Sequence, residues 1–214
     1  MSFNKLPPEI LLEISQYIKQ EYLRKLSSAC RQFMAVLQCK AYSTLHFDET
    51  SKSAYPVFAI ALGPRKQLVR TIRFVPHDPR PDQNESADQG IKLSDKSRQV
   101  LGSLHKFPML YKFQFDLSTW RIDQWSDMPF HERYDLRTRR PETDSVPWRH
   151  IILQSLKALI PHGSTQNRGA FSCLEMKALP PTQDFRQILL KPAWLDLVKD
   201  LKTFEVSLAV IESE

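Results

Sequence analysis

Leu110-Tyr111-Lys112-Phe113-Gln114-Phe115 carries the pattern on which the fold depends. Phe113 and Phe115 are separated by one polar residue, the two-residue period of a strand with one buried face. The same order of apolar, two variable, apolar, one variable, apolar occurs four more times. It reads Tyr42-x-x-Leu45-x-Phe47, Val69-x-x-Ile72-x-Phe74, Phe171-x-x-Leu174-x-Met176 and Leu201-x-x-Phe204-x-Val206. Five strands are therefore expected. Each interval between them holds a helical stretch. The first runs from Ser53 to Leu62 and stops at Gly63-Pro64. The second runs from Ser94, an N-cap type, to Phe107, with Val100, Leu101, Leu104 and Phe107 on one face. The third covers Pro147 to Ile160, and the fourth starts after Thr182, is interrupted at Pro192 and is carried on by Trp194, Leu195, Leu197 and Val198. Strands alternating with helices predict a mixed α/β fold, built either as stacked repeats or as an ordinary parallel sheet.

The forty residues ahead of this pattern read differently. In Leu6-Pro7-Pro8-Glu9-Ile10-Leu11-Leu12-Glu13-Ile14, the two prolines suit a helix start, where N–H groups lack partners anyway. Glu9 then sits at the positive end of the helix dipole. Ile10, Leu11, Ile14, Tyr17 and Ile18 form one apolar stripe at helical spacing, and Leu12 falls off it. Further short patterns follow at Tyr22, Leu23, Leu26 and at Cys30, Phe33, Met34, Leu37. Three helices this short cannot bury so much apolar surface among themselves. A plain three-helix cap on a larger core is the alternative reading.

This N-terminal segment resembles the F-box, in Leu6 through Ile14, Tyr17-Ile18, Leu23, Leu26 and Ala29-Cys30-Arg31-Gln32-Phe33. Where that family often has a Pro or Asp turn, Lys19-Gln20-Glu21-Tyr22 stands instead. The resemblance implies a domain over residues 1–40 that docks on the Skp-type adaptor of a Skp–cullin–F-box ubiquitin ligase, and through it on cullin and RING subunits. It assigns the adaptor contact to Leu6, Pro7, Pro8, Glu9, Ile10, Leu11, Ile14, Leu23, Leu26, Cys30, Arg31 and Phe33. Residues 41–214, with their strand cores, resemble leucine-rich repeats, and the combination is similar to fungal F-box proteins. The repeats are irregular: the Asn of the standard motif is missing and aromatics replace many leucines. The implied fold is a three-helix F-box followed by an irregular strand–helix solenoid of leucine-rich-repeat type.

The composition fits a globular protein, with 42% hydrophobic and 25% charged residues. No run of eighteen apolar residues provides a transmembrane helix, and Met1-Ser2-Phe3-Asn4-Lys5 lacks a secretory apolar region. Three cysteines cannot all pair, and reduced thiols in the cytoplasm or nucleus are expected. The net charge of +6 invites nucleic acid as a partner, but the basic residues are scattered, so none is expected. The six histidines form no metal-ligand spacing, and five scattered glycines build no phosphate loop or nucleophile elbow. No catalytic residue, metal or cofactor is expected, which suits a receptor whose partner subunits transfer ubiquitin.

Two intervals are longer than a repeat. His77 to Lys92 is polar filler. Asp116 to Val146 carries Trp120 and Trp125 with Arg137, Arg139 and Arg140, types that dominate recognition surfaces. These five residues are the candidate target readers, and Arg fits an acidic or phosphorylated segment. The competing reading packs the tryptophans back on the flank and leaves the arginines solvated. The last strand ends without a polar closing repeat, so either a longer receptor or a partner over this end is expected. The reading is a non-catalytic receptor for a protein target; the alternative is an F-box–adaptor module working outside ubiquitin transfer.

Overall fold

The computed structural model describes residues 6–76, 93–118, 147–160, 167, 169–179 and 189–208. Three helices come first: α1 (Pro8–Gln16), α2 (Gln20–Ala29) and α3 (Arg31–Ser43). Then strands and helices alternate as β1 (Thr44–Phe47), α4 (Ser51–Leu62), β2 (Thr71–Phe74), α5 (Asp95–Leu101), β3 (Lys112–Asp116), α6 (Pro147–Leu159), β4 (Cys173–Leu179), α7 (Pro192–Lys199) and β5 (Thr203–Leu208). The result is a mixed α/β fold: seven α-helices among the described residues and a five-stranded sheet, every pairing parallel, in the order β1-β2-β3-β4-β5.

All five expected strands form, and they align in register. Leu45, Ile72, Phe113, Leu174 and Phe204 make one row; Phe47, Phe74, Phe115, Met176 and Val206 make the next. In β1 to β4 these side chains join Val57 and Ala61 of α4, Val100 and Leu101 of α5, Ile152 and Leu156 of α6, and Trp194 and Leu197 of α7 in one core. Aromatics stack along it: Phe47 on Phe74 at 4.8 Å between ring centroids, and Phe74 on Phe115 at 5.6 Å. The opposite face of the sheet carries His46, Arg73, Gln114, Glu175 and Glu205 in one row. Parallel sheets are normally apolar on both faces, so a polar row here sets this sheet apart.

Local signals explain the helix ends. Ser94 caps α5 by accepting the Ser97 N–H at 3.1 Å, as its side chain suggests. Thr50 likewise caps α4, which therefore begins at Ser51, ahead of the expected Ser53. The stretch expected to be helical as far as Phe107 breaks after Leu101 and resumes as one 3₁₀ turn, Leu104–Lys106. The fourth stretch is divided ahead of Pro192, as expected: Leu189 is still helical, Leu190 and Lys191 are not, and Pro192 opens α7, where the missing N–H costs nothing. The expected start of that stretch, after Thr182, lies outside the described residues. The boundary expected at 40/41 falls inside α3, which passes directly into β1.

One linking side chain has no helical or strand period. Asn167 is buried and donates its amide to the Leu101 carbonyl at 2.8 Å and the Leu159 carbonyl at 2.9 Å. It satisfies the ends of α5 and α6 together, where carbonyls have no partner within their own helix.

Candidate docking surface

Side-chain hydrogen bonds tie α2 to α3 and reach the start of β1. At the C-terminal end of α3, Gln20 donates to the carbonyls of Lys40 (2.8 Å) and Ala41 (2.9 Å). Arg24 donates to Ala41 (3.1 Å) and Thr44 (2.8 Å). A cation at a helix C-terminus interacts favourably with the dipole as well as with the free carbonyls. At the other end, Cys30 Sγ accepts the Phe33 N–H, and Gln32 holds the Leu6 carbonyl at 2.9 Å. Leu11 packs with Phe33 and Leu37 in a small second core, against which Leu6, Leu26 and Cys30 are half-buried.

This packing divides the expected adaptor contacts. Pro7, Pro8, Glu9, Ile10, Ile14 and Arg31 are exposed, and Leu6, Leu26 and Cys30 are partly so. Leu11 and Leu23 are not: at 5% and 1% exposure they belong to the interior, correcting the expectation that both lie open for docking. Phe33, too, is spent on the small core. The physical reason is that α1 is apolar around most of its circumference. One face, Leu11 with Ser15, turns towards α3, where Lys40 donates to the Ser15 hydroxyl at 3.1 Å. Ile10, Leu12, Ile14 and Tyr17 are left outside, the last 84% exposed.

The exposed apolar surface continues with Tyr22 and Met34. Between the end of α1 and α2 lies an open groove of about 640 Å³, lined by Tyr17, Ile18, Tyr22, Leu26 and Ala29 and edged by Lys19 and Lys25. Lys25 lies over the Tyr22 ring, 5.5 Å from its centroid. Apart from the lysines the lining is apolar and aromatic, the composition of a docking groove. The sequence pattern pointed to this region, while Tyr22 and Met34 as outward residues could be found only by placing the three helices.

The polar sheet face is a set of fixed ion pairs. Arg73 reaches Asp116 at 2.7 Å, and Asp116 also accepts the Ser118 N–H at 2.9 Å and its hydroxyl at 2.5 Å. Burial raises the Asp116 carboxyl, but the Ser118 hydrogen bonds and the Arg73 charge outweigh it, and the net shift is downward. Glu175 pairs with both Lys112 and Lys177. Burial works against its charged form as well, and the two lysines bring its carboxyl below the ordinary range. The same contact raises the Lys112 ammonium, chiefly through its hydrogen bond to Glu175. Cys173 beside them is buried, and burial pushes its thiol up, away from the reactive thiolate. His46 is held below its usual range by partial burial and by the charges of Arg73 and Arg24.

Both carboxylates are paired with cations, and among the described residues these groups point at no common reacting atom. Among the described residues no three His, Cys, Asp or Glu side chains converge to hold a metal. No helix among them is long and apolar enough to cross a membrane. The expected target readers, Trp120, Trp125, Arg137, Arg139 and Arg140, lie outside the described residues. No protein-family model matches the chain, and no curated protein matches it.

Proposed function

We propose that the chain is a substrate-receptor subunit of a Skp–cullin–F-box ubiquitin ligase, with an N-terminal F-box and a leucine-rich-repeat-like solenoid behind it. One observation carries the reading. Ile10, Ile14, Tyr17 and Tyr22 stand exposed on short helices whose sequence resembles the F-box, and they continue into an apolar groove. Large apolar groups gathered in this way mark a protein interface. The adaptor contact then rests on Ile10, Ile14, Tyr17, Tyr22 and the half-buried Leu6, Leu26 and Cys30, while Leu11, Leu23 and Phe33 hold that surface in shape. The solenoid reading is supported by the strand order, in which, among the described residues, each strand is hydrogen-bonded only to its neighbours in sequence. Among the described residues, helices pack on one face of the sheet and the other carries a polar row.

Reconstitution tests this. The chain is mixed with a Skp-type adaptor, cullin and RING subunit, and the assembly is followed by size-exclusion chromatography. Joint elution of all four supports the receptor. A complex with the adaptor that excludes the cullin supports a module outside ubiquitin transfer, and no complex with the adaptor refutes the F-box assignment. Co-expression with the adaptor should also raise the soluble yield, because a ligand that binds only the folded chain stabilises it by mass action.

A further inference from the structure

The last strand departs from the rule that the other four obey. Leu45, Ile72, Phe113 and Leu174 are 0% exposed, and their row continues into Phe204 at 48%. Phe47, Phe74, Phe115 and Met176 are at most 3% exposed, and theirs continues into Val206 at 47%. Among the described residues β5 pairs only with β4. Thr203 donates its N–H towards β4, to the Ser172 carbonyl at 3.1 Å. Backbone groups alternate in direction along a strand, so those of Phe204, Val206 and Leu208 point away from the sheet. This edge offers a new strand its hydrogen bonds and leaves two large side chains half in water.

We propose that a second copy of this chain occupies the edge, its own β5 added antiparallel about a two-fold axis perpendicular to the sheet. Charge selects this occupant. The chain carries +6 overall, but from Lys191 to Leu208 the three cations Lys191, Lys199 and Lys202 are matched by Asp196, Asp200 and Glu205. Two copies therefore meet here without net repulsion, as an isologous contact requires, and a highly charged partner finds no field to follow. Charge also narrows the register. Placing Phe204 opposite Val206 of the copy sets Glu205 against Glu205, like charges face to face. Shifting by one pair sets Val206 opposite Val206, Phe204 opposite Leu208, and Glu205 opposite the neutral Ser207. In that arrangement the backbone groups that point outward bond to each other, and the apolar rows and helix layers of both copies lie on one side of a continuous sheet.

Sedimentation equilibrium of the full chain over two decades of concentration tests the proposal. The expected result is a closed monomer–dimer equilibrium reaching twice the 25.0 kDa chain mass. Val206→Asp should leave a monomer at every concentration, with unchanged far-ultraviolet circular dichroism. Should that variant fail to fold, Val206→Cys decides. Facing residues in a hydrogen-bonded antiparallel pair lie about 5.5 Å apart between Cα atoms, within disulfide reach. Oxidation should give a covalent dimer joined through the two peptides containing position 206. A wild-type monomer throughout, a mass that grows without limit, a dimer indifferent to Val206→Asp, or no cross-link at position 206 overturns the proposal.

Discussion

Phe113 and Phe204 are the same residue type in the same row of one sheet, one enclosed and one open, so truncating each to alanine isolates the effect of position. The Phe113 ring is fully buried and lies 5.6 Å from Phe171, so its loss removes apolar contact on every side and leaves an enclosed cavity. Transfer and cavity contributions together make Phe113→Ala cost about 3–5 kcal/mol. That is a large part of a domain stability of about 5–15 kcal/mol. Phe204 is nearly half exposed, and water can enter the space it leaves. Its truncation keeps only part of the transfer contribution, roughly 1 kcal/mol. The gap of at least about 2 kcal/mol follows from burial alone. Urea unfolding at low protein concentration, followed by tryptophan fluorescence, measures both changes. Equal losses at the two positions would refute the description of β5 as an uncovered strand.

Two further perturbations test the sheet. The folded-state pKa of Asp116 is depressed, so the carboxylate contributes stability above its unfolded-state pKa, and that contribution is lost as the pH falls through the folded value. Asp116→Asn should therefore lower stability at neutral pH and flatten the acid limb below about pH 4 in melts followed by circular dichroism; an unchanged acid limb would show that Asp116 is not the group responsible. Ala178 adopts φ 53° at the bulge where β4 and β5 shift register. Ala178→Gly should raise stability by about 0.5–1 kcal/mol, because glycine enters this region without steric cost and loses only part of that gain to backbone entropy; a lower urea midpoint would contradict it.

The sheet was legible in the sequence because its signal is local. Each core places two apolar residues one apart, and four of the five end in or contain phenylalanine at positions that align across the sheet. Helix starts were legible where a cap residue or proline preceded the apolar run, as at Ser94 and Pro8. The candidate docking surface was legible only as a region. Ile10, Leu11, Leu12 and Ile14 are all apolar, and nothing in their spacing tells which of them faces α3; that depends on how α1 lies against Phe33 and Leu37. The burial of Leu23 escapes the sequence for the same reason. Asn167 carries no period at all, and its two partners, Leu101 and Leu159, lie in different helices, so only the assembled fold reveals its role.

The central claim, that the exposed residues of α1 and its neighbours dock on a Skp-type adaptor, is tested most directly by titrating the adaptor into the full chain in a calorimeter. Wild type should bind, and Ile14→Asp should weaken binding by about 100-fold or more, the scale of an interface hot spot. Ile14 is already 40% exposed, so the melting temperature of the free chain should change little. Failure of the wild type to bind, or equal binding by Ile14→Asp, would contradict the claim.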